Sequence, residues 1–409
     1  MFEYNKYEVR QIMNITDIGH LSGDSDDGED KMTRALKREK MPLTLPAMRE
    51  IADYYFGKFK KDLKDLNIET PTEFPFASDN IKEDIDLVQT LTEKGFTYKT
   101  SDGIYFDIKK FPDYGKLGNI PLTEDGESRI GVNPEKRNSR DFAVWKFNSE
   151  LGYDAPFGKG FPGWHIECSA MSVKYLGSSF DVHTGGIDHI PVHHNNEIAQ
   201  AVCVGNPYAK YWMHNAFLNI GEGEKMAKSG ENFITLKTLL EKKIDPLALR
   251  YVFLMAHYSS PLQFSWDALD GAKNSLKKLR QKINTDSAQV TRDKKRINEI
   301  IENNKKNFLK YINDDLDTPF ALTFLHDIAN GILPKKEKRK IMLDFDKVLG
   351  LDLDKQELEI PENVKKLVTE RDTARTQKDF TKSDELRAEI EKLGFEVKDT
   401  PGGTEVKPI

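Results

Sequence analysis

Cysteine is scarce in this chain: Cys168 and Cys203 are the only two in 409 residues. They can close at most one disulfide, which excludes a small disulfide-stapled scaffold. In a reducing compartment each thiol is free, buried, catalytic or a metal ligand. Net positive charge is also missing. The formal balance is −6, so no global cationic field draws the chain onto nucleic acid, and any RNA contact must come from local basic patches. No apolar run reaches the roughly 18 residues of a membrane-spanning helix. The opening "MFEYNKYEVRQIMNITD" lacks the charged-then-apolar layout of a signal peptide and the Arg/Ser-rich character of a transit peptide. The cytoplasm is therefore the expected compartment. What the chain does have suits several folded domains. Hydrophobic residues make up 38% and charged residues 31%, enough for real cores beneath a charged surface. The length predicts two to four domains.

Periodicity organises the chain into three stretches. "YEVRQIMNITDI" alternates and reads as a strand. The acidic "GDSDDGED" after it fails the calcium-loop spacing: Gly28 falls at a ligand position and Ala35 stands where the twelfth-position Glu belongs. "LPAMREIADYYFGKFKKDLKDLNI" and "IKEDIDLVQTLTEKGF" have helical period, the second ended by Gly95. "YKTSDGIYFDIKKF" reads as a hairpin turning at Asp102-Gly103. "DAPFGKGFPGWHIE" reads as a loop over a site, and from there helices alternate with strands. "CSAMSVKYLG" is a helix, "SFDVHTGG" a strand, "HHNNEIAQAVCVG" a helix and "KYWMHNAFLNIG" a strand, the pattern of a parallel α/β sheet. Beyond "PLALRYVFLMAHY" the sequence is charged and helical, then closes with two helices and a hairpin around Pro401-Gly402-Gly403.

Three residues could hold a metal. His193 and Glu197 are four apart on an expected helix and so share one face; Cys168 adds a thiolate. On spacing alone the plainer reading is better: a buried thiol and an ordinary His/Glu pair on a helix surface. The surroundings shift the balance. Five of the nine histidines lie between His165 and His194, with Trp164 and Asp188 among them and glycine-rich turns between. Histidines gathered this way read as a site. "GEGEKMAKSGENF" offers Lys225 and Lys228 on a Gly/Ser loop, a polyphosphate clamp or a solvated basic turn. The basic runs "KKLRQK" and "RDKKR" are either solvated helix faces or local phosphate contacts.

In order along nearly the whole chain, "MNITDIGHL", "RDFAVWK", "GWHIECSAMS", "FDVHTGGIDHIPVHHNNEIAQ", "YWMHNAF", "EKMAKS", "DPLALRYVFL" and "LGFEVKDTPGGT" resemble cysteinyl-tRNA synthetases, a class I aminoacyl-tRNA synthetase family. The resemblance implies an α/β fold: a Rossmann-type class I synthetase catalytic domain over 1–32 and 137–235, split by an insertion at 33–136. A stem-contact region and helical bundle at 236–350 and a small α+β anticodon-binding domain at 355–409 follow. It implies ATP-dependent activation of cysteine, with Mg2+, and transfer to tRNA(Cys) by a monomer. It carries one zinc ion onto Cys168, His193 and Glu197, and the substrate pocket onto Thr16, Trp164, His183 and Asp188. Lys225 and Lys228 match the lysines of the KMSKS loop, Lys228 being the ATP contact; Ala227 stands in place of the loop's usual serine.

The sequence departs from the family pattern at its beginning. The tempting Ile18-Gly19-His20 is not the family's His-Ile-Gly-His, because Asp17 occupies the first histidine's place and "MNIT" precedes it. The family's "CGPTVYD"-like strand, with the first zinc cysteine, and its His-Ile-Gly-His helix match nothing in these residues. The expectation is that a natural protein extends further, and that these residues alone bind zinc weakly and do not support adenylation. Two alternatives remain: an impaired synthetase-like tRNA-binding protein, or a ligase joining cysteine to a small amine, as in mycothiol synthesis. The retained Lys228 and zinc half-site argue against catalytic loss, and the anticodon-like tail argues against the small amine.

Overall fold

The structure, a computed structural model, describes residues 1–18, 31–121, 133–220, 224–225, 234–287, 289–355, 361–400 and 403–409. The acidic "GDSDDGED" segment lies outside them. The chain divides into two compact units, Met1–Lys225 with Ala256–Phe264, and Met226–Met255 with Ser265–Ile409.

The first unit begins with helices α1 (Lys31–Glu39), α2 (Leu45–Asp65) and α3 (Ile81–Glu93). Thr44 caps α2 by accepting from Ala47 N, with Pro46 in the first turn. Strands β1 (Thr97–Lys99), β2 (Gly103–Phe106), β3 (Phe142–Phe147) and β4 (Gly160–Pro162) form one antiparallel sheet in that order. It takes strands from both sides of the expected insertion boundary. Helix α4 (Trp164–Leu176) precedes a β–α–β unit of strand β5 (Ser179–Gly186), helix α5 (His193–Val204) and strand β6 (Tyr208–Asn215), with β5 and β6 parallel. Strand β7 (Leu218–Ile220) pairs antiparallel with β8 (Glu224–Lys225) and parallel with β9 (Leu262–Phe264).

Three local expectations are corrected. Residues 7–18 are not a regular strand. They make only isolated parallel bridges, Ile12 with Glu73 and Ile15 with Phe76. The facing segment carries Pro71 and Pro75, which have no N–H to continue a ladder. The hairpin turns at residues 100–102, with Lys99 opposite Ile104. Gly103 belongs to β2, where a Cβ would sit 2.4 Å from the Trp145 carbonyl; the glycine serves close strand approach. The expected loop at 154–167 contains β4 and the first turn of α4.

One core holds the site-bearing helices in place. Val88 and Leu91 of α3, Phe106 of β2, Phe142, Val144 and Trp145 of β3, Ile166 of α4 and Ala199 of α5 form a single buried cluster. Ile166 is two residues before Cys168, and Ala199 two after Glu197. Apolar burial on one face of each helix therefore fixes where the polar face points. Ser169 of α4 donates to Gln200 of α5 at 2.5 Å. Asn195 accepts from Gly115 N at 3.1 Å and donates to the carbonyls of Leu117 and Ile190.

The second unit is helical: α6 (Leu236–Glu241), α7 (Pro246–Leu254), α8 (Trp266–Lys282), α9 (Lys294–Ile312), α10 (Thr318–Asn330), α11 (Lys335–Leu349), α12 (Glu362–Thr376) and α13 (Phe380–Lys392). A hairpin of β10 (Phe395–Thr400) and β11 (Gly403–Pro408) ends it. Arg280 of α8 is buried and donates to Asp245 at 2.7 Å and to the Leu351 carbonyl at 2.9 Å. Phe308 of α9 stacks on Phe345 of α11 at 3.9 Å. Buried Arg371 of α12 grips both carboxylate oxygens of Asp399 in β10 at 2.9 Å each. Among the described residues, no helix is long and apolar enough to cross a membrane.

Candidate functional site

Five elements bring the polar cluster together. The first turns of α4 supply Trp164, His165 and Cys168. Strand β5 supplies His183, and a 3-10 turn after it, Ile187–His189, supplies Asp188 and His189. The first two turns of α5 supply His193, His194 and Glu197. Strand β6 supplies Tyr208, Trp212 and His214, with His183 directly opposite Trp212 and Gly185 opposite His214. The end of β5 must be glycine: a Cβ on Gly185 would lie 2.6 Å from His194 Cε1 and 2.8 Å from His189 Nδ1.

The ligand atoms of Cys168, His193 and Glu197 all lie within 4.8 Å of one another. Metal bonds of about 2.0–2.3 Å would bring tetrahedral ligands to roughly 3.4 Å apart, a small contraction from there. A second group, His183, His194 and Glu197, meets the same distance and shares the carboxylate. Glu197 is fully buried. Its Oε1 carries no hydrogen bond, although His193 Nε2 lies 3.0 Å away. Its Oε2 accepts from the Tyr208 hydroxyl at 2.5 Å and lies 3.5 Å from His183 Nε2. A buried carboxylate grouped with an imidazole nitrogen and a thiol is a set of converging lone pairs, and a cation satisfies all of them at once. The donor set fits zinc.

The electrostatics agree with that arrangement. Burial alone would raise the Glu197 carboxyl, but His183 and His193 outweigh it and hold it well below the usual carboxylate range. Burial, and then the Glu197 charge, push the Cys168 thiol well up, while the Asn14 amide, 3.7 Å from Sγ, acts the other way. Without a cation the thiol stays protonated; a bound cation reverses that. Burial drives His194 down to about 3 despite Glu197, so it is neutral and shares a 2.8 Å hydrogen bond with His214. His165 and His193 share one at 2.7 Å between their Nδ1 atoms, which leaves His193 Nε2 on the Glu197 side. Trp164 packs over His193 with ring centroids 4.2 Å apart.

Of the residues singled out from sequence, Cys168, His193, Glu197, Trp164 and His183 converge here. Asp188 lies on the turn bordering the cluster, close enough to Gly186 that a Cβ there would meet its Oδ1 at 2.3 Å. Thr16 is on the extended segment whose Asn14 reaches Cys168. Lys225 lies in β8, and Lys228 lies outside the described residues. Sequence reasoning missed Asn14, Tyr208, Trp212 and His214. The last three could have been found from the strand pairing: β6 parallel to β5 puts alternate residues of the two strands on one face.

Residues 1–275 match the family "tRNA synthetases class I (C) catalytic domain", and residues 358–406 match "Cysteinyl-tRNA ligase anticodon binding domain". The chain is 41% identical to cysteine–tRNA ligase 1 of Burkholderia lata, across 98% of this chain and 85% of that protein. It is 40% identical to cysteine–tRNA ligase of Treponema denticola, across 98% and 88%. Among solved structures, Mycobacterium tuberculosis methionyl-tRNA synthetase bound by methionyl-adenylate superposes with a TM-score of 0.56 at 13% identity. That match covers 85% of this chain and 83% of the other, a likeness of fold alone.

Proposed function

The chain belongs to the cysteine–tRNA ligase family of class I aminoacyl-tRNA synthetases, and from that premise we propose how its site selects and activates the amino acid. Cysteine attacks the α-phosphate of ATP, giving cysteinyl-adenylate and pyrophosphate. The 3′-terminal adenosine of tRNA(Cys) then takes the cysteinyl group and releases AMP. The convergence of Cys168, His193 and Glu197 around a buried, unsatisfied carboxylate oxygen carries this reading.

These three residues would hold zinc. When bound, the ion supplies a soft Lewis acid that favours a deprotonated sulfur over a hydroxyl. That chemistry answers a selection problem. Cysteine and serine differ by one atom, and packing discriminates poorly between near-isosteres. The chain's own residues do the rest. Trp164, tilted over His193, walls the pocket and excludes water. His183 lies 3.5 Å from Glu197 and 4.7 Å, ring to ring, from Trp212, closing the opposite side. Asp188 is the one carboxylate among the proposed substrate residues and suits the amino acid's ammonium. Thr16 lines the same pocket from the extended segment. Lys225 and Lys228 stabilise the polyphosphate as charge moves onto it, Lys228 contacting ATP and its Mg2+-bound phosphates.

Residues 1–32 and 137–235 serve as the catalytic domain, 33–136 as the insertion, 236–350 as the stem-contact region and bundle, and 355–409 as the anticodon-binding domain. The protein acts as a cytoplasmic monomer. The test is charging of a tRNA(Cys) transcript by the full-length protein with cysteine or serine. Cysteine is accepted at least 1,000-fold better, on the order expected when a site depends on one specific polar partner. Cys168→Ala and His193→Ala abolish that preference. Equal charging with serine, or preference intact in both variants, overturns the proposal.

A further inference from the structure

The pocket contains a fully buried tyrosine for which activation of cysteine assigns no task. Tyr208 opens β6 with its backbone in the left-handed region, φ +66°, a conformation that aromatic residues rarely hold. Its N–H donates to the Ser178 carbonyl at 2.9 Å. Its ring is wedged against Phe180, centroids 5.0 Å apart and edge to face, and near His183 at 5.8 Å and Trp212 at 6.1 Å. Its hydroxyl has one strong acceptor, Glu197 Oε2, at 2.5 Å. The other oxygen, Oε1, is the one left without a hydrogen bond and facing His193.

The geometry points to Tyr208 as the positioning residue that commits Glu197 to bind the ion through Oε1 alone. This deepens the zinc reading above and rests on it. A carboxylate free to rotate could use either oxygen, or both. It could then serve either cluster, Cys168 with His193 or His183 with His194. With Oε2 engaged by a locked phenol, the oxygen nearest His183 is occupied. The free one lies 3.0 Å from His193 Nε2 and 4.0 Å from His194 Nε2, so it favours the thiol-containing set. Hydrogen bonds of this kind to a ligating carboxylate fix its orientation, and their loss costs metal affinity without removing a ligand.

The experiment compares zinc affinity of wild type and Tyr208→Phe by competition with a chromophoric chelator. Cobalt(II) spectra and thermal midpoints are recorded alongside. At saturating zinc, wild type takes up one ion per chain. Tyr208→Phe keeps the sulfur-to-cobalt charge-transfer band from Cys168, but its ligand-field bands shift and zinc affinity falls about 10- to 100-fold. In a Glu197→Gln background, Tyr208→Phe changes affinity no further, which a merely structural role would not predict. Affinity within twofold of wild type and an unchanged cobalt spectrum overturn the inference while leaving the zinc reading standing. A wild-type chain that takes up no ion overturns both. If Tyr208→Phe does not fold, 3,5-difluorotyrosine at 208 keeps the ring and strengthens the donor. A Kd shift of at least threefold then supports the assignment, and an unchanged Kd refutes it.

Discussion

Adding one methyl group at Gly185 tests whether the histidine cluster is packed as tightly as it is drawn. Gly185 has no left-handed backbone requirement, so Gly185→Ala should stabilise a strand by about 0.4–1 kcal/mol if space allowed. The structure predicts the opposite sign. The new Cβ would meet His194 Cε1 at 2.6 Å, His194 Nε2 at 2.8 Å and His189 Nδ1 at 2.8 Å. Carbon pairs settle at about 3.5–4.0 Å, so the His194 ring must retreat by roughly 1 Å. Overpacking of this sort costs about 1–3 kcal/mol. The retreat also breaks the 2.8 Å hydrogen bond to His214, worth about 1 kcal/mol. A net loss of about 2–3 kcal/mol lowers the melting temperature of a unit this size by roughly 4–12 °C. Scanning calorimetry reads the shift, and chelator competition reads the accompanying loss of metal affinity. A Gly185→Ala protein that melts at or above the wild-type temperature and binds zinc unchanged would refute this account of the cluster.

Three further outcomes follow from named contacts. Asp245 faces buried Arg280. Burial would raise its carboxyl, but Arg280, the Leu247 N–H and Lys355 hold it below the ordinary value of about 3.9. Its contribution to stability is therefore whole above about pH 5 and is lost as the pH falls below 4 through the depressed value. Asp245→Asn should cost about 2–3 kcal/mol at neutral pH and flatten that acid limb, as read by urea unfolding against pH. Arg371→Ala, which strips a buried guanidinium from Asp399, should destabilise the α12–β10 contact by about 3 kcal/mol and raise amide exchange there. Arg371→Lys should restore little, because an ammonium cannot make the two-pronged contact. Finally, saturating zinc should shield Cys168 but not Cys203 from alkylation, read by peptide mass spectrometry; equal labelling of both thiols would count against Cys168 as a ligand.

The sequence displayed the site where chemistry and local periodicity coincide. His193 and Glu197 share a helix face because they are four apart, and the glycine-rich turns between the histidines mark chain reversals into one place. The contacts that orient those ligands were not visible. Asn14 reaches Cys168 across 154 residues of sequence. Tyr208 reaches Glu197 only because β6 lies parallel to β5 at a particular register. The segment at 7–18 alternates like a strand, but its partner carries prolines that stop a ladder, information found some 60 residues away. Gly103 followed an aspartate and so looked like a turn. It is in fact a strand residue pressed against the Trp145 carbonyl, and a tertiary approach overrides the local turn signal. The second unit was plain as a charged helical stretch because periodicity is a local signal, whereas the caps at Ser265 and Asp293 emerged only in the structure.

On the proposed function, Cys168, His193 and Glu197 would hold an ion that takes the substrate's sulfur. X-ray absorption at the zinc edge of the zinc-loaded protein, with and without substrate, addresses it directly. The expected result is one additional sulfur at about 2.3 Å when cysteine is added, and no change with serine. An unchanged zinc environment in saturating cysteine would contradict it.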